Sequence, residues 1–471
     1  MIPGEIKGRL ETIVGGKNVL TNKAAGPGLI VRPGSTEEAA QCLSILHSRS
    51  LPVVTLGGLT GLVGGTDVSP DFIGLSTERL NKIENFDPIR KQVLVGAGVK
   101  LQEVHSYVAE RGLRYGVDFG ARGSCTIGGN VATNAGGNSV VRFGMTRANV
   151  AGLEVVLADG SVISDLGGLV KNNVGYDLKE LFIGSEGTLG VVTRALLKLV
   201  RAATGTASVL MALNSVEDAL KVMGMLQAKC GGSLLALEIM WNRYFRVVGS
   251  AVMSGSPPPL SDTYPVYLLA QVEESEEGTP AEEILLDTLA EAECIADSAL
   301  AQTTEQEKVF WAIRDGSEFV ERSHRSVLSF DVSMWPQNYS SYVAEVEGRL
   351  NRRIPDATPY YFGHLADGNI HFMVGHDRTV PNATAMIEEC VYGPLLRYSP
   401  SSISAEHGIG QEKAHHLWRS RSTSEIAAMN KIRKALDPTG VLNPHIQYHS
   451  SAGTCSGGDP SLVRTGKAAP C

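Results

Sequence analysis

The chain has 471 residues, with 42 Lys and Arg against 50 Asp and Glu and a formal net charge of -8 at neutral pH. That length exceeds one ordinary hydrophobic core, so two domains are expected, and the mild acidity argues against nucleic acid or an anionic membrane surface as the main partner. With 43% hydrophobic and 20% charged residues the composition is that of a globular protein, and the absence of any run of about 18 uncharged apolar residues predicts no transmembrane helix. The start, MIPGEIKGRLETIVGG, has no charged region followed by a long apolar stretch, so no secretory signal is expected. Seven cysteines (Cys42, Cys125, Cys230, Cys294, Cys390, Cys455 and Cys471) are scattered without a CxxC, which points to reduced thiols in a cytoplasmic protein.

Taken in order, residues Glu5–Val14 read as a helix, LIVRPG as a strand and STEEAAQCLSILHSRS as a second helix, with Ser35 and Glu38 forming a capping box at its start. The strand LPVVTL runs into GGLTGLVGGT, Gly57–Thr66. This stretch is compatible with a plain loop and with a nest of backbone N–H groups around a phosphate. It matches neither a GxGxxG opening a helix nor a P-loop with its lysine, so a Rossmann or kinase-like reading is weak. Two more glycine-rich stretches follow, GSCTIGGNVATNAGGNSVVRFG (Gly123–Gly144) and GYDLKELFIGSEGTLGVVT (Gly175–Thr193), with a hairpin, LEVVLADGSVI, turning at Asp159-Gly160 between them. The 52 glycines concentrate between Gly57 and Gly190. Three such loops imply a large anionic ligand approached closely by backbone from several directions.

From about Arg201 glycine thins out. Amphipathic helices (SVEDALKVMGMLQAK, PAEEILLDTLAEAE) alternate with strands such as PVYLLAQVE, which predicts a second, α+β domain. SGSPPPLSDT, Ser254–Thr263, reads as a surface loop. In Tyr360–Val374, YYFGHLADGNIHFMV, the turn residues Asp367-Gly368-Asn369 predict a tight hairpin that brings His364 and His371 toward each other. Alone, this stretch fits an ordinary hairpin and a metal clip equally well. Near it in the second half stands SISAEHGIG, Ser402–Gly410, an extended segment on which Glu406 and His407 point to opposite faces. Glu406 is placed to join His364 and His371 as a third ligand, and two histidines with one carboxylate and open positions are a catalytic pattern. His376 is a weaker spare candidate. Lys431–Leu442 reads as a final helix ending at DPTG, and residues 449–471 as a disordered tail.

On PVVTLGGLTGLVGGT, GARGSCTIGGNVATNAGG, GYDLKELFIGSEGTLGVVT, GHLADGNIHF, SAEHGIG and LDPTGVLNP, the chain resembles FAD-dependent oxidoreductases of the vanillyl-alcohol oxidase / p-cresol methylhydroxylase type, from about residue 25 to 446. The resemblance implies an α+β fold. A two-subdomain PCMH-type FAD-binding domain would occupy residues 1–200 and a ferredoxin-like α+β cap with the substrate and metal sites 201–420, with residues 421–448 returning to the FAD domain. It implies that Gly57, Gly58, Leu59, Thr60, Gly61 and Leu62 cradle the FAD pyrophosphate. Gly123, Ser124, Thr126, Gly128, Gly129, Asn130, Thr133, Asn134 and Gly136 would line the isoalloxazine and ribityl side. Gly187, Gly190 and Val191 would sit by the adenine end, and Asn443 would make a further polar contact. Gly57–Thr66 contains no histidine, and Cys125 reads as a packing residue, so the FAD is expected to be non-covalent.

HxxDGNxH together with EHGIG resembles the D-2-hydroxy-acid dehydrogenase branch, which binds zinc or manganese there. Oxidation of a 2-hydroxy acid removes the O–H proton and passes the C–H hydride to flavin N5. His407, as a neutral imidazole of pKa about 6.5, suits the proton abstraction, and a metal on His364, His371 and Glu406 would acidify the hydroxyl. Arg314, in VFWAIRDG, matches the family arginine that grips the substrate carboxylate. Relatives that oxidise 2-hydroxyglutarate carry a threonine four residues on and a lysine fifteen residues on. Here those positions are Glu318 and Ser329, which favours a D-lactate-like monocarboxylate, with Asn369 as a further substrate contact. The expected partners are a small 2-hydroxy acid and an electron acceptor (quinone, cytochrome or electron-transfer flavoprotein), with a homodimer as the assembly. The alternatives are a D-2-hydroxyglutarate dehydrogenase, an FAD-linked oxidase of another hydroxy acid, a distant zinc hydrolase without flavin, and a non-catalytic subunit retaining the flavin fold.

Overall fold

The computed structural model describes residues 4–22, 26–275, 278–377 and 381–450. The tail from residue 451 on lies outside the described residues. The chain forms two compact units. One takes in the residues up to Gly137, Phe143–Ala202 and the segment from Glu406 onward, and the other Asn138–Arg142 and Ala203–Ala405.

The first unit holds two sheets. Strands β1 (Val19–Thr21), β2 (Leu29–Val31), β3 (Val53–Leu56) and β4 (Ile73–Ser76) lie in the order β1-β2-β4-β3, with β2, β4 and β3 parallel. β2 and β3 run parallel on either side of β4, and the helix Thr36–Ser48 carries the chain across from one to the other. Its Ala39, Leu43 and Leu46 pack with Val31, Val53 and Ile73, and the helix Gly4–Val14 adds Ile6, Leu10 and Val14 to the same core. Ser35 accepts the Glu38 N–H as expected, but the Glu38 carboxylate takes the N–H of Gly34, at 2.7 Å, so the box closes one residue earlier than the sequence suggests. The C-terminal segment returns beside β3: Val53 donates to the Val441 carbonyl and Asn443 to that of Val53.

The second sheet is antiparallel. It comprises β5 (Ile83–Asp87), β6 (Gln92–Gly96), β7 (Leu113–Tyr115), β8 (Val150–Val156), β9 (Val162–Asp165) and β10 (Val191–Arg201), in the order β5-β6-β10-β8-β9 with β7 also on β10. The β8–β9 hairpin turns at Asp159-Gly160, where Asp159 accepts the Ser161 N–H at 2.9 Å. Alternate residues Val93, Val95, Leu153, Val155, Ala195 and Leu197 form the core with the helix Leu101–Ala109.

The second unit is an eight-stranded antiparallel sheet: β11 (Thr206–Leu213), β12 (Leu234–Trp241), β13 (Val266–Glu273), β14 (Ile295–Leu300), β15 (Ser326–Met334), β16 (Thr358–His364), β17 (Asn369–His376) and β18 (Ser401–Ser402). The order is β14-β11-β13-β12-β16-β17-β15-β18. On one face Met240, Phe362 and Met373 pack against the helices Asn242–Val252 and Thr304–Asp315 through Tyr244, Phe245, Phe310 and Ile313. Tyr244 stacks on Phe362 at 4.2 Å.

The final helix is Thr423–Leu436, not Lys431–Leu442. Ser422 and Glu425 form a reciprocal capping box at its true start. Its end precedes Asp437 because the residue before Pro438 is pushed out of the helical region, and the Asp437 carboxylate instead accepts the Leu442 N–H at 2.8 Å. Among the described residues no helix is long and apolar enough to cross a membrane.

Candidate active site

The polar centre lies on the face of the eight-stranded sheet that carries Phe362, at its polar end. Registers set it out: Glu238 faces His364, Phe362 faces His371, and Asp331 faces His371 from the other side. Residues opposite one another or two apart on a strand share a face, so Glu238, His364, His371 and Asp331 all point the same way. His364 and His371 are therefore diagonal rather than directly opposed, with ring centroids 5.4 Å apart. The turn that permits this uses Gly368 at φ +84°, where its N-terminal neighbours leave β16 and Asn369 opens β17.

Arg314, only 2% exposed, comes from the helix Thr304–Asp315. Its Nε donates to Glu238 at 2.8 Å and its Nη1 to Asp315 at 3.0 Å. Nη2 lies 2.9 Å from His364 Nε2. Tyr244 donates to the Arg314 carbonyl at 2.6 Å, which fixes the helix end. Glu238, fully buried, also accepts from His364 Nδ1 at 2.8 Å. Burial pushes its carboxyl up, but Arg314 and His364 outweigh burial and hold it below the usual carboxylate range. A charged Glu238 on Nδ1 selects the tautomer that leaves His364 Nε2 as the donor atom.

The segment after β18 is tied to the same sheet. Ser404 donates to the Asp331 carboxylate at 3.3 Å, and the Ala405 N–H does so at 3.0 Å. Glu406 is the next residue, and one donor atom each from His364, His371 and Glu406 lie within 4.8 Å of one another. Such a set could hold one cation. His407 follows, half-buried. Of the remaining candidates, Asn369 is buried, donates from Nδ2 to the Val332 carbonyl at 3.1 Å and has an Oδ1 without a hydrogen-bond partner. Ser329 is exposed on the Asp331 face of β15, Glu318 is half-buried with Oε2 unpartnered, and His376 closes β17 outside the cluster.

In the first unit the three glycine-rich stretches come together. Gly57–Leu62 follows β3; Gly123 and Ser124 lead into the helix Ile127–Thr133, which contains Gly128, Gly129, Asn130 and Thr133 and follows Thr126; Asn134 ends that helix at φ +52°, with Gly136 just beyond. Gly187, Gly190 and Val191 lead into β10. Part of the glycine content serves packing between loops. A Cβ on Gly58 would lie 2.3 Å from the Ser124 carbonyl oxygen, and one on Gly128 2.6 Å from the Ala97 Cβ. Gly61 and Gly123 instead open onto empty space. In the same stretches, Thr55 Oγ1 in β3, Thr126 Oγ1 and Asn130 Nδ2 are buried without partners. Buried polar atoms of this kind call for a ligand, and a dinucleotide rich in donors and acceptors fits them. Asn443 is a clip: its Nδ2 donates to the Glu186 carbonyl at 2.6 Å and its Oδ1 accepts from Thr55 N–H at 3.2 Å.

Glu238 and Asp331 were not singled out in the sequence. The available signal was an acid inside an otherwise apolar strand, LLALEIMW and LSFDVSM, where an unpaired charge would be too costly to keep. Thr55, inside the apolar run PVVTL, carried no signal of its own.

Residues 27–165 match the family of FAD binding domains, and residues 203–446 match the C-terminal domain of FAD linked oxidases. A D-2-hydroxyglutarate dehydrogenase of Xanthomonas citri pv. viticola is 36% identical over 430 residues, which are 89% of this chain and 88% of that one. A mitochondrial D-2-hydroxyglutarate dehydrogenase of Arabidopsis thaliana is 36% identical over 423 residues, 88% of this chain and 74% of its own. Among solved structures, substrate-bound p-cresol methylhydroxylase superposes with a TM-score of 0.71 at 17% identity, over 94% of this chain and 96% of its own, a likeness of fold.

Proposed function

The chain belongs to the FAD-linked oxidases, and from that premise we propose how it oxidises its substrate. It is an FAD-dependent dehydrogenase acting on a D-2-hydroxy acid, which it converts to the 2-oxo acid. The observation that carries the finer reading is the convergence of His364, His371 and Glu406 with His407 next in the chain.

FAD, which the Gly57–Leu62 stretch and the residues around the helix Ile127–Thr133 would hold without a covalent link, would supply an acceptor for the hydride from C2. His364, His371 and Glu406 would hold a divalent ion, Zn2+ or Mn2+, which would supply Lewis acidity that lowers the pKa of the substrate hydroxyl. Glu238 keeps the proton on His364 Nδ1. Arg314 Nη2, beside His364, would turn to the substrate carboxylate, while its Nε stays on Glu238. Asn369 offers the substrate its buried Oδ1. His407 takes the hydroxyl proton on an imidazole nitrogen. Turnover then needs an external electron acceptor, a quinone, a cytochrome or an electron-transfer flavoprotein.

The distal substituent is proposed to be uncharged, as in D-lactate, because Glu318 brings a negative charge and Ser329 none to the positions discussed above. A second reading, D-2-hydroxyglutarate, is favoured by what the relatives are named. Anaerobic mixing with D-lactate, D-mandelate and D-2-hydroxyglutarate separates the two by which acid bleaches the flavin fastest. His407→Ala should slow that bleaching by about 10²–10⁴-fold, and chelation should abolish it. Unchanged bleaching in both cases would discard the base and the metal together. A colourless purified protein would favour the hydrolase instead, and steady oxygen consumption an oxidase. The free Cys42, Cys125, Cys230, Cys294 and Cys390 support a reducing compartment. Fractionation decides between cytoplasm and the mitochondrion for which the Arabidopsis relative is named.

A further inference from the structure

We infer that Glu186 is the positioning residue for His407, its carboxylate setting the backbone of the loop that presents the imidazole. The inference rests on the reading of His407 as the base. Glu186 stands at φ +51°, a left-handed conformation uncommon outside glycine, in the turn Ser185–Gly187 before β10. Its own backbone is anchored on two sides. Its N–H donates to the Ala132 carbonyl at 2.7 Å, in the helix Ile127–Thr133, and its carbonyl accepts from Asn443. The side chain is thereby aimed away from those anchors. Glu186 Oε1 accepts the N–H of Gly410 at 2.8 Å and that of Ile409 at 3.2 Å.

The loop fits this carboxylate closely. Gly408 and Gly410 have φ of +84° and +50°, and a Cβ on Gly408 would stand 2.7 Å from Glu186 Oε1. From the other side the Val63 carbonyl accepts the N–H groups of Gln411 and Glu412 at 3.0 and 3.2 Å. His407 therefore precedes a turn gripped by one acceptor from the first glycine loop and one from the third. Burial pushes the Glu186 carboxyl up, and the Gly410 and Ile409 N–H groups and Lys413 pull against it. A carboxylate that accepts two backbone donors of one turn fixes the geometry of that turn.

The side chain can be tested apart from the flavin site, because its backbone hydrogen bonds survive substitution. Glu186→Gly suits the positive φ, so the fold is not put at risk, and Glu186→Gln keeps an acceptor oxygen. With the D-acid that reduces wild type fastest, the limiting rate of anaerobic flavin reduction should fall about a hundredfold in Glu186→Gly. Its dependence on substrate concentration, its flavin content and its flavin absorbance should stay at wild type. Glu186→Gln should stay within about tenfold of wild type. In a His407→Ala background Glu186→Gly should add little further loss. A Glu186→Gly enzyme reducing at the wild-type rate, one that has shed its FAD, or a loss fully additive with His407→Ala would each overturn the inference. His407→Ala at the wild-type rate alongside a slowed Glu186→Gly would instead sink the reading of His407.

Discussion

Replacing Glu238 by alanine should destabilise the second unit by about 3–5 kcal/mol, because it removes the carboxylate that pairs with the buried Arg314 Nε. The cost is that of the abandoned cation rather than the worth of the pair. Replacing both partners by methionine should therefore recover most of the loss in urea midpoint while leaving turnover abolished. A Glu238→Ala protein with an unchanged midpoint would mean that the guanidinium finds water or another partner. Asp331, three strands away on β15, acts on a backbone donor instead: its carboxylate accepts the Ala405 N–H and fixes the start of the Glu406–His407 segment. Both acids act on the site through groups they hold, which is why their chemistry is invisible until the registers are known.

At the scale of elements, the sequence disclosed whatever depends on local turn chemistry. Asp367-Gly368-Asn369 and Asp159-Gly160 specify their hairpins because glycine tolerates positive φ, and Ser35 marks a helix start because its hydroxyl replaces a missing backbone acceptor. What depends on pairing between distant strands was not legible. The polar line from Glu238 to Asp331 exists only because β12, β16, β17 and β15 are neighbours in the sheet, and no local pattern encodes that order. The final helix shows a middle case. STSE is a capping box that the expected span Lys431–Leu442 passes over, and Pro438 is the stop signal. In that box the Ser422 N–H and hydroxyl hold the Glu425 carboxyl below the ordinary glutamate range. A depressed acid contributes stability that is present above its unfolded pKa and lost as pH falls through its folded one. A carbon-13 carboxylate titration should place the Glu425 midpoint below that of an unstructured glutamate, and Ser422→Ala should move it back up. A midpoint indifferent to Ser422→Ala would refute the hydroxyl's share and leave the Ser422 N–H as the cause.

For the whole molecule, the glycine-rich loops carry two burdens that composition cannot separate, and stability can. FAD that binds only the folded chain adds about 2.7 kcal/mol at a hundredfold excess over Kd, which raises the melting temperature by roughly 5–10 °C in a unit of this size. Gly58 belongs to the packing burden, since any side chain there meets the Ser124 carbonyl at 2.3 Å. Gly58→Ala should thus lower the melting temperature of the apoprotein itself. Gly61 has open space where its Cβ would stand, so Gly61→Val should leave the apoprotein unchanged and shrink the shift caused by FAD. Thr126→Val should behave like Gly61→Val, because it removes a buried hydroxyl that has no partner within the protein. Scanning calorimetry with and without FAD reads all three. If Gly61→Val melted early without FAD, or kept the full FAD shift, the open side of the loop would not be the cofactor's, and the unpartnered Thr55, Thr126 and Asn130 would need another ligand.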